Sequence, residues 1–241
     1  MGAVQYKGAP YNLRRTTAPK MTHAKPLLLA LAAAFLTALG ATSAQAQDAA
    51  AGKKKASMCI GCHGIPGYQA SFPEIYKVPM ISGQNAKYIV NALNAYKKGE
   101  RKHPTMRGIA GSLTDTDMAD LAAFYQQYGM SSIKPVADTP AAPPSPEVAA
   151  LIAKGACNSC HGPNFSKPID PGYPKLAGQH PDYLYAALRA YGTEGNPNVG
   201  RANAIMGGQV KQFKREELKA IAQYLGSLPG EIHTEPAPHF R

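Results

Sequence analysis

The sequence predicts an all-α protein made of two tandem domains of one plan, joined by a Pro-rich linker. Three observations carry that prediction: an internal repeat of about a hundred residues, a proline-dense stretch between the copies, and helix signals with no run of alternating apolar residues. CIGCHG at 59–64 recurs as CNSCHG at 157–162, and VPMISGQ at 78–84 as YPKLAGQ at 173–179. Ala95-Tyr96 recurs as Ala190-Tyr191, and Asp117–Tyr125 lines up with Glu217–Leu225. The order is kept with small loop insertions, which marks a tandem duplication. Residues 131–145 hold most of the prolines between the copies and no periodicity, so they predict an extended, semi-rigid connector. The halves are therefore residues 47–130 and 146–241.

Each half reads as three helices and long loops. Ser145-Pro146-Glu147 supplies a cap, a first-turn proline and a first-turn acid, and opens a helix running toward Cys157. His180-Pro181-Asp182 opens another that ends near Gly192, with His180 in the cap position. Thr114-x-x-Asp117 resembles a capping box, with Asp in place of Glu or Gln. It starts a helix with Met118, Leu121, Ala122 and Tyr125 on one face, closed near Gly129; Leu218, Ile221, Ala222 and Leu225 repeat that face. Halves this small and this rich in loops make marginal apolar cores, so something large and apolar is needed to complete them.

Residues 27–39, LLLALAAAFLTAL, follow Lys20, His23 and Lys25 and precede Ala44-Gln45-Ala46. A charged start, a short apolar core and a small-x-small cut predict a secretory signal peptide over residues 1–46. Met21 onward already makes a complete one, so Met21 is a candidate true start. The apolar run is shorter than the roughly 20 residues of a membrane span, and an uncleaved anchor is the alternative. Arg14-Arg15 lies too far upstream of the apolar core to make a twin-arginine signal. Removing residues 1–46 takes away five basic side chains and no acidic one, so the formal charge falls from +11 to +6. That balance is mildly basic and excludes a polycation built for nucleic acid.

All four cysteines lie in the two C-x-x-C-H copies, Cys59-x-x-Cys62-His63 and Cys157-x-x-Cys160-His161. Two thiols three apart at a helix end can add to the two vinyl groups of one porphyrin, and the adjacent histidine can then ligate its iron. The motif therefore reads as c-type haem attachment, twice, after an export signal. The same cysteines could form one all-thiolate zinc site or two redox disulfides, but neither accounts for the histidine in both copies or for the duplication. The second axial ligand separates a carrier from a haem enzyme, because a thioether opposite the histidine closes the iron to substrate. Met106 lies 43 residues after His63 and Met206 lies 45 after His161, both expected in Gly-containing loops before the last helix. Met80 aligns with Lys175 and Met118 with Leu218, so both are expected to pack. His103 has no histidine counterpart in 196–202 and is expected to be solvated or to meet a propionate; His233 and His239 belong to the tail.

With these residues in view, the sequence resembles cytochrome c4, the dihaem family of tandem class I cytochrome c domains. The matching residues are Cys59-x-x-Cys62-His63-Gly64, Pro79-x-x-x-Gly83-Gln84, Gly99-x-Arg101 and Met106, then Cys157-x-x-Cys160-His161-Gly162, Pro174-x-Leu176-Ala177-Gly178-Gln179 and Met206. The resemblance implies two cytochrome c folds meeting at an interface, two covalently bound haem c groups, and His/Met axial ligands at each iron. It implies that the carbonyls of Pro79 and Pro174 accept from the ligand histidines. It also implies a periplasmic, non-enzymatic carrier of a respiratory chain. Its partners would be redox proteins such as a cytochrome bc complex and a terminal oxidase, with a loose membrane association and no small-molecule substrate. The departures are Ile65-Pro66-Gly67 after the first motif, Ile81-Ser82 where Leu-Ala is usual, and Thr193-Glu194-Gly195 where Gly-x-Arg is expected. Two other functions compete: an electron-transfer subunit of a periplasmic dehydrogenase, and a dihaem enzyme such as a peroxidase, which the matching methionines oppose. Lys53-Lys54-Lys55 and the run Lys97, Lys98, Arg101 and Lys102 are candidates for steering an acidic partner.

Overall fold

A computed structural model describes residues 47–236, and the described chain belongs to one compact unit. The expected signal peptide and His239 lie outside the described residues. The first half is built from α1 (Ala49–Lys55), α2 (Ser57–His63), α3 (Ala86–Lys98), α4 (Pro104–Gly111) and α5 (Asp115–Gln127). The second half repeats them as α6 (Pro146–Lys154), α7 (Cys157–His161), α8 (Pro181–Tyr191), α9 (Ala204–Val210) and α10 (Arg215–Ser227). Among the described residues each half thus has five α-helices where three helices were expected. The additional ones are short: α1 and α2 are parted by Ala56, and α4 and α9 are the methionine-bearing segments expected as loops.

The helix ends follow the sequence signals. The Ser145 hydroxyl accepts from Val148 N, and Pro146 fills the first turn, where its missing N–H leaves no donor unpaired. Thr114 and Asp117 form a reciprocal capping box: Asp117 N donates to Thr114 Oγ1 at 3.1 Å, and Thr114 N to Asp117 Oδ2 at 3.0 Å. Lys214 N donates to Glu217 Oε2 at 2.6 Å at the start of α10. His180 occupies the cap position of α8 but makes no side-chain capping bond there.

Each half has its own apolar cluster. In the first, Ile89, Leu113, Met118, Leu121, Phe124 and Tyr125 gather where α3 and α1 pack on α5. In the second, Ile152, Phe165, Leu184, Ile221, Leu225 and Leu228 gather where α8 and α6 pack on α10. Met118 is fully buried, as its packing role required.

Strands are present, although none was expected, and they are two residues each. β1 (Gln69–Ala70) and β2 (Tyr76–Lys77) form a hairpin found in the first half. β3 (Arg101–Lys102) of the first half pairs antiparallel with β4 (Gly200–Arg201) of the second, with Arg101 opposite Arg201. Runs this short carry no alternation to read.

The two halves meet through more than this ladder. Gln84, 3% exposed, donates Nε2 to Lys175 O at 3.0 Å and accepts from Lys175 N at 2.9 Å. Gln179, 4% exposed, does the same to Met80: Nε2 to O at 2.9 Å, and Met80 N to Oε1 at 3.0 Å. The glycine before each glutamine is left-handed, at φ +79° in both. Gly83 N donates to Tyr125 O and Gly178 N to Leu225 O, so each Gly-Gln turn is hung on the last helix of its own half. Arg189 pairs with Glu74, and Lys87 with Asp170 at 3.0 Å. The C-terminal tail crosses back: His233 N donates to Ser82 O at 3.0 Å, and a side chain at Gly83 would meet Glu231 O. The linker is not a free tether. Asn164 Nδ2 donates to Ala137 O, Lys167 pairs with Asp138, and Tyr224 OH donates to Ala142 O at 3.1 Å.

Helices α1 and α5 cross at Gly52, where a Cβ would lie 2.1 Å from Asp120 O. Asp120 also holds Asp48 N at 3.0 Å and Lys55 Nζ at 2.8 Å. Gly52→Ala is therefore expected to force the helices apart and lower stability by about 1–3 kcal/mol in guanidinium unfolding, despite the better helix propensity of alanine.

Candidate haem sites

Cys59, Cys62 and His63 close α2, and Cys157, Cys160 and His161 form α7. The four thiols are free and fall into one pair per half. Among the described residues no group of three His, Cys, Asp or Glu is arranged to hold a metal ion, so the shared zinc site has no support. Burial pushes the Cys59 thiol up to about 11, partly offset by the Tyr125 hydroxyl beside it, and also raises Cys157. Tyr125 is buried and its hydroxyl has no hydrogen-bond partner of good geometry among the described residues. Its counterpart is Leu225, so this polar group is particular to the first half.

The His63 Nδ1–H donates to Pro79 O at 2.8 Å, and the His161 Nδ1–H to Pro174 O at 3.3 Å. These are the bonds the family resemblance implied. With Nδ1 as donor, each ring keeps Nε2 as a lone-pair donor for a metal. Burial lowers the pKa of both histidines against the opposing pull of the prolyl carbonyl, and for His63 the nearby His103 lowers it further. Burial thus favours the neutral ring in both, the form in which imidazole ligates iron.

Met106 and Met206 sit at the same place in the first turn of α4 and α9. Met106 N donates to His103 Nδ1 at 3.3 Å, and Met206 N to Asn203 Oδ1 at 2.9 Å. His103 is thus a helix cap whose counterpart is Asn203, beyond the segment compared in the sequence. It is partly buried between Tyr76 and Tyr96 rather than solvated.

Between the halves lies a second repeated arrangement. Arg101 Nη2 donates to Tyr88 OH at 3.1 Å and stacks over Tyr88 and Tyr96. Arg201 Nη2 donates to Tyr183 OH at 3.0 Å and stacks over Tyr183 and Tyr191. Gly200-Arg201 therefore replaces Thr193-Glu194-Gly195 as the counterpart of Gly99-x-Arg101; the loop before it is longer. Neither guanidinium forms an ion pair among the described residues, and they face each other across one strand pair. Two adjacent, partly buried cations with only phenol partners suit carboxylate anions. Paired thiols, neutral histidines, capped thioethers and anion-seeking arginines together fit a propionate-bearing porphyrin in each half.

Two stretches, residues 49–128 and 147–229, match the cytochrome c family. The chain is 31% identical over 202 residues to cytochrome c4 of Pseudomonas aeruginosa, spanning 82% of this chain and 98% of that protein. The chain belongs to the dihaem cytochrome c4 family. The structure of reduced recombinant cytochrome c4 from Pseudomonas stutzeri superposes with a TM-score of 0.53 at 27% identity, covering 76% of this chain and all of that one. A thiosulfate dehydrogenase electron acceptor of Stutzerimonas stutzeri is 30% identical over 215 residues, 83% of this chain and 94% of its own. As a cytochrome c4 family member, the chain carries two covalently bound haem c groups and is an electron carrier, not an enzyme.

The sequence reading missed Arg201, Tyr88, Tyr183 and Tyr125. The repeated Ala-Tyr at 95–96 and 190–191 was the available signal, since it marks one wall of each arginine site. Tyr88→Phe and Tyr183→Phe each remove a hydrogen bond to a guanidinium. Each is expected to cost about 1.5–3 kcal/mol in urea unfolding, and a cost near zero for both would show that the phenol rings, not their hydroxyls, hold the arginines.

Proposed function

We propose that this chain is a periplasmic carrier of a respiratory chain, with one haem joined to Cys59 and Cys62 and the other to Cys157 and Cys160. His63 and Met106 are the axial ligands in residues 47–130, and His161 and Met206 those in residues 146–241, with residues 131–145 as the linker. The observation that carries the ligand assignment is the equivalence of the two methionines: each is the residue whose backbone N–H is capped by the residue three before it. Haem iron supplies a one-electron couple. The prolyl carbonyls orient the histidines, the thioethers of Met106 and Met206 would hold the iron closed to small molecules, and Arg101 and Arg201 would receive propionate charge. Export through residues 1–46 and electron delivery toward a terminal oxidase, from a donor such as a cytochrome bc complex, complete this reading. Among the described residues no helix is long and apolar enough to cross a membrane.

A second reading has a specific observation behind it. Relatives of Stutzerimonas stutzeri and Thiomonas intermedia, each 30% identical to this chain, are named thiosulfate dehydrogenase electron acceptors. On that reading the electrons come from a periplasmic dehydrogenase. Either partner would meet a basic surface smaller than the sequence suggests. Lys55 is taken by Asp117 and Asp120, and Arg101 is turned inward. Lys53, Lys54, Lys97, Lys98 and Lys102 remain exposed for steering. A reduction rate by the partner that falls with ionic strength supports steering, and a flat response removes it.

Met106→Ala and Met206→Ala are each expected to remove about half of the Met–iron charge-transfer absorption of the oxidised protein. Full intensity in either variant refutes that ligand. Replacing Cys157 and Cys160 together by Ala is expected to halve the haem that survives acid–acetone extraction.

A further inference from the structure

The glutamines of the two Gly-Gln turns act on more than docking. Pro79 C=O and Met80 N–H belong to one peptide group. Its oxygen accepts from His63 Nδ1 at 2.8 Å, and its N–H donates to Gln179 Oε1 at 3.0 Å. Pro174 C=O and Lys175 N–H likewise belong to one peptide group, between His161 Nδ1 at 3.3 Å and Gln84 Oε1 at 2.9 Å. Each histidine is therefore joined, through a single amide plane, to a buried glutamine of the opposite half.

We infer that Gln179 and Gln84 are positioning residues that act in trans, each setting the orientation and basicity of the histidine in the other half. An amide whose N–H is bonded to a good acceptor carries a more negative carbonyl oxygen, and chained hydrogen bonds strengthen one another. A stronger carbonyl acceptor draws the Nδ1 proton, makes the imidazole a better donor through Nε2, and favours ferric over ferrous iron. The glutamine also fixes the peptide plane, because its Nε2 donates to the next carbonyl along, Met80 O or Lys175 O. Both of its polar ends are used, and it carries no charge that the interface must desolvate. The side chain's own backbone N–H is not the partner; its Oε1 accepts from the following residue, Asn85 or His180, which locks the rotamer. The inference rests on the histidine part of the proposed ligation and not on the methionines.

The test is a redox titration of the full holoprotein followed by NMR, with haem signals assigned to each half through the cysteines of its motif. Gln179→Met keeps the length and removes the acceptor. It is expected to raise the potential of the first-half haem and shift the His63 Nδ1–H resonance, leaving the second half unchanged. Gln84→Met is expected to do the reverse. The expected size is three- to tenfold in the one-electron equilibrium, about 30–60 mV. A shift in the same half as the substitution, an equal shift in both halves, or no shift overturns the inference. Should Gln179→Met fail to accumulate with both haems, Gln179→Glu keeps an acceptor oxygen. A first-half potential at or below that of the unchanged chain is expected there, and a rise overturns the inference. Failure of the His/Met reading would show separately, in the spectrum of the unsubstituted protein.

Discussion

The fold depends on an exchange of backbone hydrogen bonds between two copies of one plan. Gln84 and Gln179 each hold both polar groups of a residue in the opposite half, and β3 pairs with β4 beside them. A surface that contacts its own repeat is self-complementary, so each favourable contact occurs twice, as in a two-fold dimer. Neutral amides suit this place. A buried lysine or glutamate would have to be desolvated and matched, whereas one carboxamide offers a donor and an acceptor to a backbone that needs both. Two ion pairs also cross between the halves, the half-buried Arg189 with Glu74 and the exposed Lys87 with Asp170. An exposed pair such as the second contributes little to stability and more to register.

The parts of the fold that were legible in the sequence are those governed by local chemistry. Ser145-Pro146-Glu147, the Thr114/Asp117 box and the Pro181 start each act within one turn, and all three open helices where expected. Features that arise from the meeting of halves were not legible. β3 and β4 are strands because each finds the other, and two residues leave no period to detect. Arg201 was hidden because the loop before it is longer than its counterpart, so alignment on Ala95-Tyr96 placed the expected arginine in 193–195. His103, expected to be solvated or to meet a propionate, is partly buried and caps α4, and Asn203 meets the same backbone need with a shorter side chain. The tail looked like an ending, but His233 pairs with Ser82, the departure from Leu-Ala in the first motif.

Duplication fixes the plan and leaves the surroundings of each site free to diverge. Tyr125 faces Cys59 where Leu225 stands in the second half, and Ser82 stands where the second half has Ala177. The hairpin of β1 and β2 brings Tyr76 against Tyr183, 5.8 Å between ring centroids. The histidine-to-proline bond is 2.8 Å in one half and 3.3 Å in the other. Hydrogen bonding to the ligand set, polarity at the ring edge and burial are the levers by which a protein tunes a haem. The first two differ here between halves that share a backbone.

A two-centre carrier needs that divergence and also needs the halves to stay put. Two identical centres would give electrons no preferred order. Halves on a free tether would vary the path between them, since a flexible chain of the linker's length spans a wide range of separations. This chain meets both demands with one interface. The linker is pinned to the second half by Asn164, Lys167 and Tyr224, and the tail reaches back to the first. The contacts that hold the halves together, at Met80 and Lys175, fall on the peptides that orient the histidines. Docking and tuning therefore share the same atoms: a change that loosened the interface would also free, from the opposite glutamines, the peptide planes to which the histidines are bonded.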